Sequence, residues 1–307
     1  MLTDFICPDG EKIDIKKCLG DCGCRLGMRC MPRPILIEVG KVRPWKGKPS
    51  VTQLIKGTYE AFLCITQNYA EAPTEQMFKI LGTFGHGQIE QNEIATALTE
   101  ERLESDEGVT GAFDLYDTED GWHVMTDYKV TGSYKVSKAL GIEEVAKDSP
   151  TEVYKMKSTV TINGVKQVRL KGDPKVIKTY QRNLAKQDCR DWVLQLNKYR
   201  VMLESKGFKV DALQIYAVVR DGGTMIAKNR GIEERGVIIP IPILPDEEVK
   251  TYFDKKQKDL LKALEQGGWS EKCTDEETWN GLKCEKYCAV SEFCQFMNKP
   301  SVEVDGE

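Results

Sequence analysis

The alternation of apolar and polar residues changes period along the chain, and each change marks an element. After the turn-rich stretch Pro44-Trp-Lys-Gly-Lys-Pro49, Ser50 can cap a helix in which Val51, Leu54, Ile55, Phe62 and Leu63 recur near helical spacing. A second helix is predicted from about Thr74 to Leu103, weakened by Gly82, Gly85 and Gly87. The period then falls to two: Gly111–Asp117 and Trp122–Lys129 read as paired strands joined by a short turn through Asp120-Gly121. A second hairpin is predicted from Thr159–Ile162 and Val165–Val168, since Asn163-Gly164 suits the type I′ turn that matches strand twist. A helix from about Thr179 to Ser205 precedes the apolar strand Ala212–Val219, a strand Gly236–Leu244 and a last helix from about Asp246 to Gln266. Helix, strands, helix, strand predicts an α/β or α+β core.

Cysteine usage changes the picture at both ends. Of eleven cysteines, five lie in the first thirty residues (Cys7, Cys18, Cys22, Cys24, Cys30) and four in the last forty (Cys273, Cys284, Cys288, Cys294). Met1 to Cys7 lacks the basic-then-apolar pattern of a secretory signal, so an intracellular, cytoplasmic setting is expected, where thiols bind metals more often than they form disulfides. Cys273-x10-Cys284-x3-Cys288-x5-Cys294 offers four thiolates for tetrahedral zinc or a [4Fe-4S] cluster, and Cys7-x10-Cys18-x3-Cys22 repeats part of that spacing. With Cys24 and Cys30 following, the N-terminal set has one candidate more than four ligands require. Cys64 and Cys189 stand alone and read as small buried hydrophobes.

No apolar run approaches the length that spans a bilayer, and 40% hydrophobic with 30% charged residues is ordinary for a soluble chain. The net charge of −4 argues weakly against a protein that coats nucleic acid. Tyr154 to Arg190 departs from it, with ten basic residues (Lys155, Lys157, Lys166, Arg169, Lys171, Lys175, Lys178, Arg182, Lys186, Arg190) against Asp173 and Asp188. Such a stretch is a solvated face or a phosphate contact.

Cleaving a phosphodiester calls for a divalent cation, and hard cations such as Mg²⁺ take oxygen ligands. Asp114 and Asp127 fall on the two predicted strands among apolar residues, where a lone carboxylate would be costly. Lys129 lies two residues beyond Asp127, so both side chains share a strand face.

On these motifs the chain resembles the RecB-type nuclease domains of the PD-(D/E)xK superfamily. Gly82-Thr-Phe-Gly-His86 with Glu90 is similar to the first motif, Gly111-Ala-Phe-Asp114 to the second, Asp127-Tyr-Lys129 to the third and Gln195-Leu-Asn-Lys-Tyr199 to the QxxxY motif. The resemblance implies a restriction-endonuclease-like core, a central mixed sheet flanked by helices. It also implies His86, Asp114 and Asp127 as Mg²⁺ or Mn²⁺ ligands, Lys129 positioning the attacking water, and Gln195 and Tyr199 holding substrate. His123, the other histidine, reads as a partly exposed strand residue.

The likeness extends to the iron-sulfur branch of that family, which includes AddB and the CRISPR-adaptation exonucleases of bacteria and phages, where one cysteine precedes the nuclease motifs and three follow. Here the region near Gly57-Thr-Tyr59 carries none, so Cys273 or an N-terminal cysteine would complete the set. The expected arrangement is a [4Fe-4S] cluster on Cys273, Cys284, Cys288 and Cys294 and zinc on Cys7, Cys18, Cys22 and Cys30, with the two metals open to exchange and Cys24 an alternative to Cys22. The expected organisation is an N-terminal cysteine module over residues 1–33, a nuclease core over 45–245 with a basic hairpin insertion at about 152–178, and a C-terminal helix and cysteine module over 246–307. The function implied is a metal-dependent DNA exonuclease of repair, recombination or phage DNA metabolism, with DNA and a helicase or recombination protein as partners. The alternative is an inactive cysteine-rich DNA-binding or recruitment module.

Overall fold

In the computed structural model, which describes residues 1–20, 28–42, 44–82, 95–118, 121–162 and 164–297, the chain is mixed α/β and divides into two units. The first comprises Met1–Met125, Leu194–Asp211 and Ile243–Glu307, and the second Thr126–Val193 and Ala212–Pro242. Among the described residues no helix is long and apolar enough to cross a membrane.

The described N-terminal residues belong to the first unit. Leu2–Ile6 pairs antiparallel with Lys12–Asp14 and parallel with Tyr69–Glu71. Its inward residues Leu2 and Phe5 join Ile15, Cys18, Leu36, Val39 and Ile80 in one apolar cluster. Ser50 caps Val51–Leu54 through a capping box, accepting from the Gln53 amide at 3.2 Å while its own amide donates to Gln53 Oε1 at 2.9 Å. The helix expected to continue stops there, and a new one, Thr58–Thr66, starts from Gly57. It packs on the long helix Asp246–Gln266, which matches expectation at both ends: Asp246, Glu247 and Glu248 complement the dipole of its first turn, and Gly267 closes it at φ 67°. Arg200, a buried side chain, anchors the start of that helix, donating to the Leu244 carbonyl at 2.9 Å and pairing with Asp246 at 2.7 Å and Glu204 at 2.6 Å.

The helix expected over Thr74–Leu103 is replaced at its end by strands. Ala97–Thr99 pairs with Leu115–Asp117 and Arg102–Glu104 with Thr110–Ala112, forming one long hairpin. Leu103 is buried between exposed neighbours, a period of two that the helical template overrode. At the base of this region His123 Nδ1 meets Asp211 Oδ2 at 2.7 Å, the Asp211 amide donates to the His123 carbonyl at 2.8 Å, and Tyr116 stacks on the imidazole.

In the second unit residues Thr126–Thr131 of the strand Val124–Thr131 lie beside Ala212–Val219, which in turn lies beside Gly236–Ile241, the last two antiparallel with Ile215 and Ile239 fully buried. The following helix Ser133–Ala139 is capped from outside: the amide and hydroxyl of Ser133 both donate to Asp221 at 2.6 Å. Thr179–Arg182, expected to begin a helix, instead ends the strand Pro174–Arg182, which pairs with an unanticipated strand Ile142–Val153. The helix proper is Arg190–Glu204. The second predicted hairpin is present as Ser158–Ile162 and Val165–Arg169, with Ile162 opposite Val165 and Gly164 at φ 80°.

Lys209 first, then His123, holds the Asp211 carboxyl down from its ordinary 3.8 to about 2. A carboxyl depressed in the folded state contributes stability that is complete above its unfolded value and lost as pH falls through the folded one. Asp211→Asn is therefore expected to lower the melting temperature at pH 7, with the gap to wild type closing between pH 4 and about 2. Thermal unfolding across that range measures it, and a gap unchanged at the acid end would rule out the latch.

Candidate active site and thiol cluster

Asp114 sits where the long hairpin bends. Glu100, at φ 52°, donates its amide to the Asp114 carbonyl at 3.1 Å, and the Phe113 amide donates to Glu101 at 3.3 Å, so the ladder continues through the bend while the side chain is re-aimed. Phe113 is fully buried and Asp114 is 9% exposed. Three residues earlier, Gly111 lies against the ring of Tyr199: a Cβ there would stand 2.5 Å from Tyr199 Cε1. Gln195, one helical turn before Tyr199, donates to its hydroxyl at 3.2 Å. Within the first unit the structure thus brings together the Gly-Ala-Phe-Asp and QxxxY segments named from sequence.

Asp127 and Lys129 both belong to the second unit. Alternation along Val124–Thr131 puts them on one face, and Lys129 Nζ lies 2.5 Å from Asp127 Oδ2. Asp127 is 2% exposed, so this oxygen is enclosed with the ammonium as its close counter-charge. His86 and Glu90 lie outside the described residues. Among the described residues no three His, Cys, Asp or Glu side chains are arranged to hold a metal ion.

The C-terminal thiols gather on the helix Thr58–Thr66. Cys273 fills the space beside Gly57, where a Cβ would come 2.2 Å from its Sγ, and the Glu60 amide hydrogen-bonds to the thiol. Gly57 gives this helix start no side-chain cap, and the Glu60 amide in its first turn is met instead by a cysteine about two hundred residues away in sequence. Burial pushes the Cys273 thiol up, raises Cys288 to about 11, and raises Cys284, which also feels Cys294 nearby. Two ion pairs of low exposure bracket the set: Lys283 with Glu60 at 2.5 Å and Lys256 with Glu277 at 2.7 Å.

Sequence reasoning missed Cys64. It lies one helical turn beyond Glu60, and its charge is felt at Cys288. The spacing Gly57, Glu60, Cys64 on one helix face was the available signal. At the other end, Cys18 is 3% exposed within the apolar cluster of Leu2, Phe5 and Leu36, surroundings that suit a small apolar side chain. Cys7 is half-buried, Cys30 is exposed, and Cys22 and Cys24 lie outside the described residues.

The basic stretch is less basic in three dimensions than in sequence. Four of its ten cations meet acids of the strand Ile142–Val153: Arg169 with Asp148 at 3.4 Å, Lys175 with Glu152 at 2.6 Å, Lys178 with Glu144 at 2.9 Å and Lys186 with Glu143 at 2.9 Å.

Because Tyr199 is a buried ring with nowhere to retreat, Gly111→Ala is expected to destabilise the protein by about 1–3 kcal/mol. In a Tyr199→Leu background the same change should cost far less, since the atom it strikes is gone. Urea denaturation of the four proteins measures this, and strictly additive effects would mean that Gly111 and Tyr199 do not touch.

No family model matches the chain, and no curated protein does. Among solved structures it is similar to the crystal structure of SSO0001, at a TM-score of 0.39 and 13% identity, over 85% of this chain and 91% of that one.

Proposed function

We propose that the protein is a divalent-metal-dependent DNA nuclease, and the observation that carries the reading is the buried Asp127 carboxylate paired with the part-exposed Lys129 on one strand face. Desolvating a carboxylate costs several kcal/mol, and a fold keeps such a group where chemistry uses it more often than where packing alone would do. Asp127 would be a ligand to the cation. Bound there, Mg²⁺ or Mn²⁺ supplies a water of lowered pKa and offsets charge on the scissile phosphate. Lys129 carries a fixed positive charge at the Asp127 carboxylate, suited to orient the attacking water and to stabilise charge that develops on the phosphoryl oxygens. Gln195 holds the Tyr199 hydroxyl, which presents a polar group from a rigid helix for orienting substrate.

The spacing and soft-donor chemistry of Cys273, Cys284, Cys288 and Cys294 support a metal centre, and we assign them a [4Fe-4S] cluster that would draw the four together on binding. Thiols in such a set would release their protons to solvent on binding iron as thiolates, and the C-terminal segment would be tied to the helix Thr58–Thr66 through the cluster.

End-labelled single- and double-stranded DNA incubated with Mg²⁺ or Mn²⁺ tests the catalytic reading. Asp127→Asn and Lys129→Met are each expected to slow cleavage by about 100-fold or more while leaving DNA binding in place. Wild-type binding without cleavage would instead favour a recruitment module. For the cluster, anaerobically purified protein is expected to carry iron and visible absorbance that Cys284→Ser and Cys288→Ser lose and Cys189→Ser keeps. Iron-free, colourless wild type would overturn the assignment.

A further inference from the structure

The basic insertion is an arm with a built tip. Ile142–Val153 and Pro174–Arg182 run antiparallel from Ile142 opposite Arg182 to Val153 opposite Pro174. The inner hairpin does not extend this ribbon but folds back over it, because Lys178 donates to the Thr161 carbonyl and Arg169 reaches Asp148. Residues 154–157 and 170–173 are therefore the far end of the arm. Backbone bonds stitch them together: Tyr154 donates to Asp173 at 2.9 Å, Gly172 to Tyr154 at 2.9 Å, and the Leu170 amide to Asp173 Oδ2 at 2.6 Å.

This ordered tip holds two large apolar side chains out in water, Met156 at 71% and Leu170 at 57% exposure. Around them stand Lys155, Lys157 and Lys171, all exposed and without an ion pair among the described residues. From Val153 to Gly172 the chain carries no acidic residue. Exposed apolar groups on a well-bonded frame mark a contact surface, and the uncompensated lysines make its partner anionic.

We propose that the arm tip is a wedge for a forked duplex end: Met156 and Leu170 stack on the last base pair while Lys155, Lys157 and Lys171 take the phosphates of the diverging strands. The proposal rests on the DNA reading above. A platform for single strands would display aromatic rings to successive bases, whereas the one aromatic residue here, Tyr154, is half-buried with its hydroxyl accepting from the Val176 amide. Methionine and leucine are side chains that proteins insert between base steps.

The test uses full-length protein in EDTA, so that binding is read without cleavage, with fluorescein-labelled fork, blunt duplex and single strand, and 2-aminopurine at the last pair of the fork. Wild type is expected to prefer the fork and to raise 2-aminopurine fluorescence. Met156→Ser with Leu170→Ser should cost about tenfold in fork affinity and abolish the fluorescence change, leaving single-strand binding unaltered. Lys155→Ala, Lys157→Ala and Lys171→Ala together should weaken binding to every DNA and reduce the slope of log affinity against log salt by about 2. Fork affinity and fluorescence that survive the serine changes would overturn the wedge, as would tip variants that lose anionic phosphatidylserine vesicles but bind DNA normally. With Mg²⁺ restored, wild type that unstacks the fork without cutting it overturns the nuclease reading and leaves the wedge. Wild type that cuts while the tip variants unstack normally overturns the wedge alone.

Discussion

Taking a charge out of water costs several kcal/mol unless an opposite charge or a set of donors comes with it, and breaking one partner of such a pair costs more than the pair contributed. Four charge pairs of low exposure among the described residues illustrate this. Arg200 binds Glu204, Asp246 and the Leu244 carbonyl, setting where the long helix begins. Lys256 and Glu277, and Glu60 and Lys283, hold the C-terminal segment to two helices. Asp127 and Lys129 form the fourth, and here the two groups come from one strand. The first three join segments distant in sequence, as structural pairs do. The fourth differs in that its acid and base lie two residues apart on one face of a single strand.

Two glycines shape the surroundings by what they lack. Gly111 lets a tyrosine ring lie flat on a strand, and Gly57 lets a cysteine thiol take the place of a helix cap. In both, the group that fills the space comes from a motif the sequence had already marked for another reason: Tyr199 from QxxxY and Cys273 from the C-terminal cysteines. A close approach of this kind fixes two motifs relative to each other without a hydrogen bond or charge between the side chains, and any Cβ at either glycine would undo it.

Elements were legible in the sequence where one local signal acted alone. The long helix has three acids at its start and a left-handed glycine at its end, and Asn163-Gly164 set the register of its hairpin. Reading failed where a non-local partner decided the matter. Ala97–Thr99 and Thr179–Arg182 have helix-compatible composition, and pairing with Leu115–Asp117 and Ile142–Val153 makes them strands. At the candidate site the spacing of Asp127 and Lys129 was legible because a period of two needs no tertiary information. Cys64 was not, because an isolated cysteine gains a context only when another segment packs beside it, and Cys18 acquired an apolar one.

Charge is where sequence counting misled most, and the correction sharpens the functional picture. Surface ion pairs contribute little to stability, but a cation matched by a neighbouring carboxylate presents a much weaker field to a phosphate. The strand Ile142–Val153 supplies one acid to each of Arg169, Lys175, Lys178 and Lys186, which matches four of the cations along the arm. Lys155, Lys157 and Lys171, left at the tip, keep their field. An arm charged throughout would bind nucleic acid anywhere along its length and in no fixed register. One partly matched along its body, with three unpaired lysines gathered beside Met156 and Leu170, favours binding a polyanion at its tip, and that is the arrangement a positioning element requires.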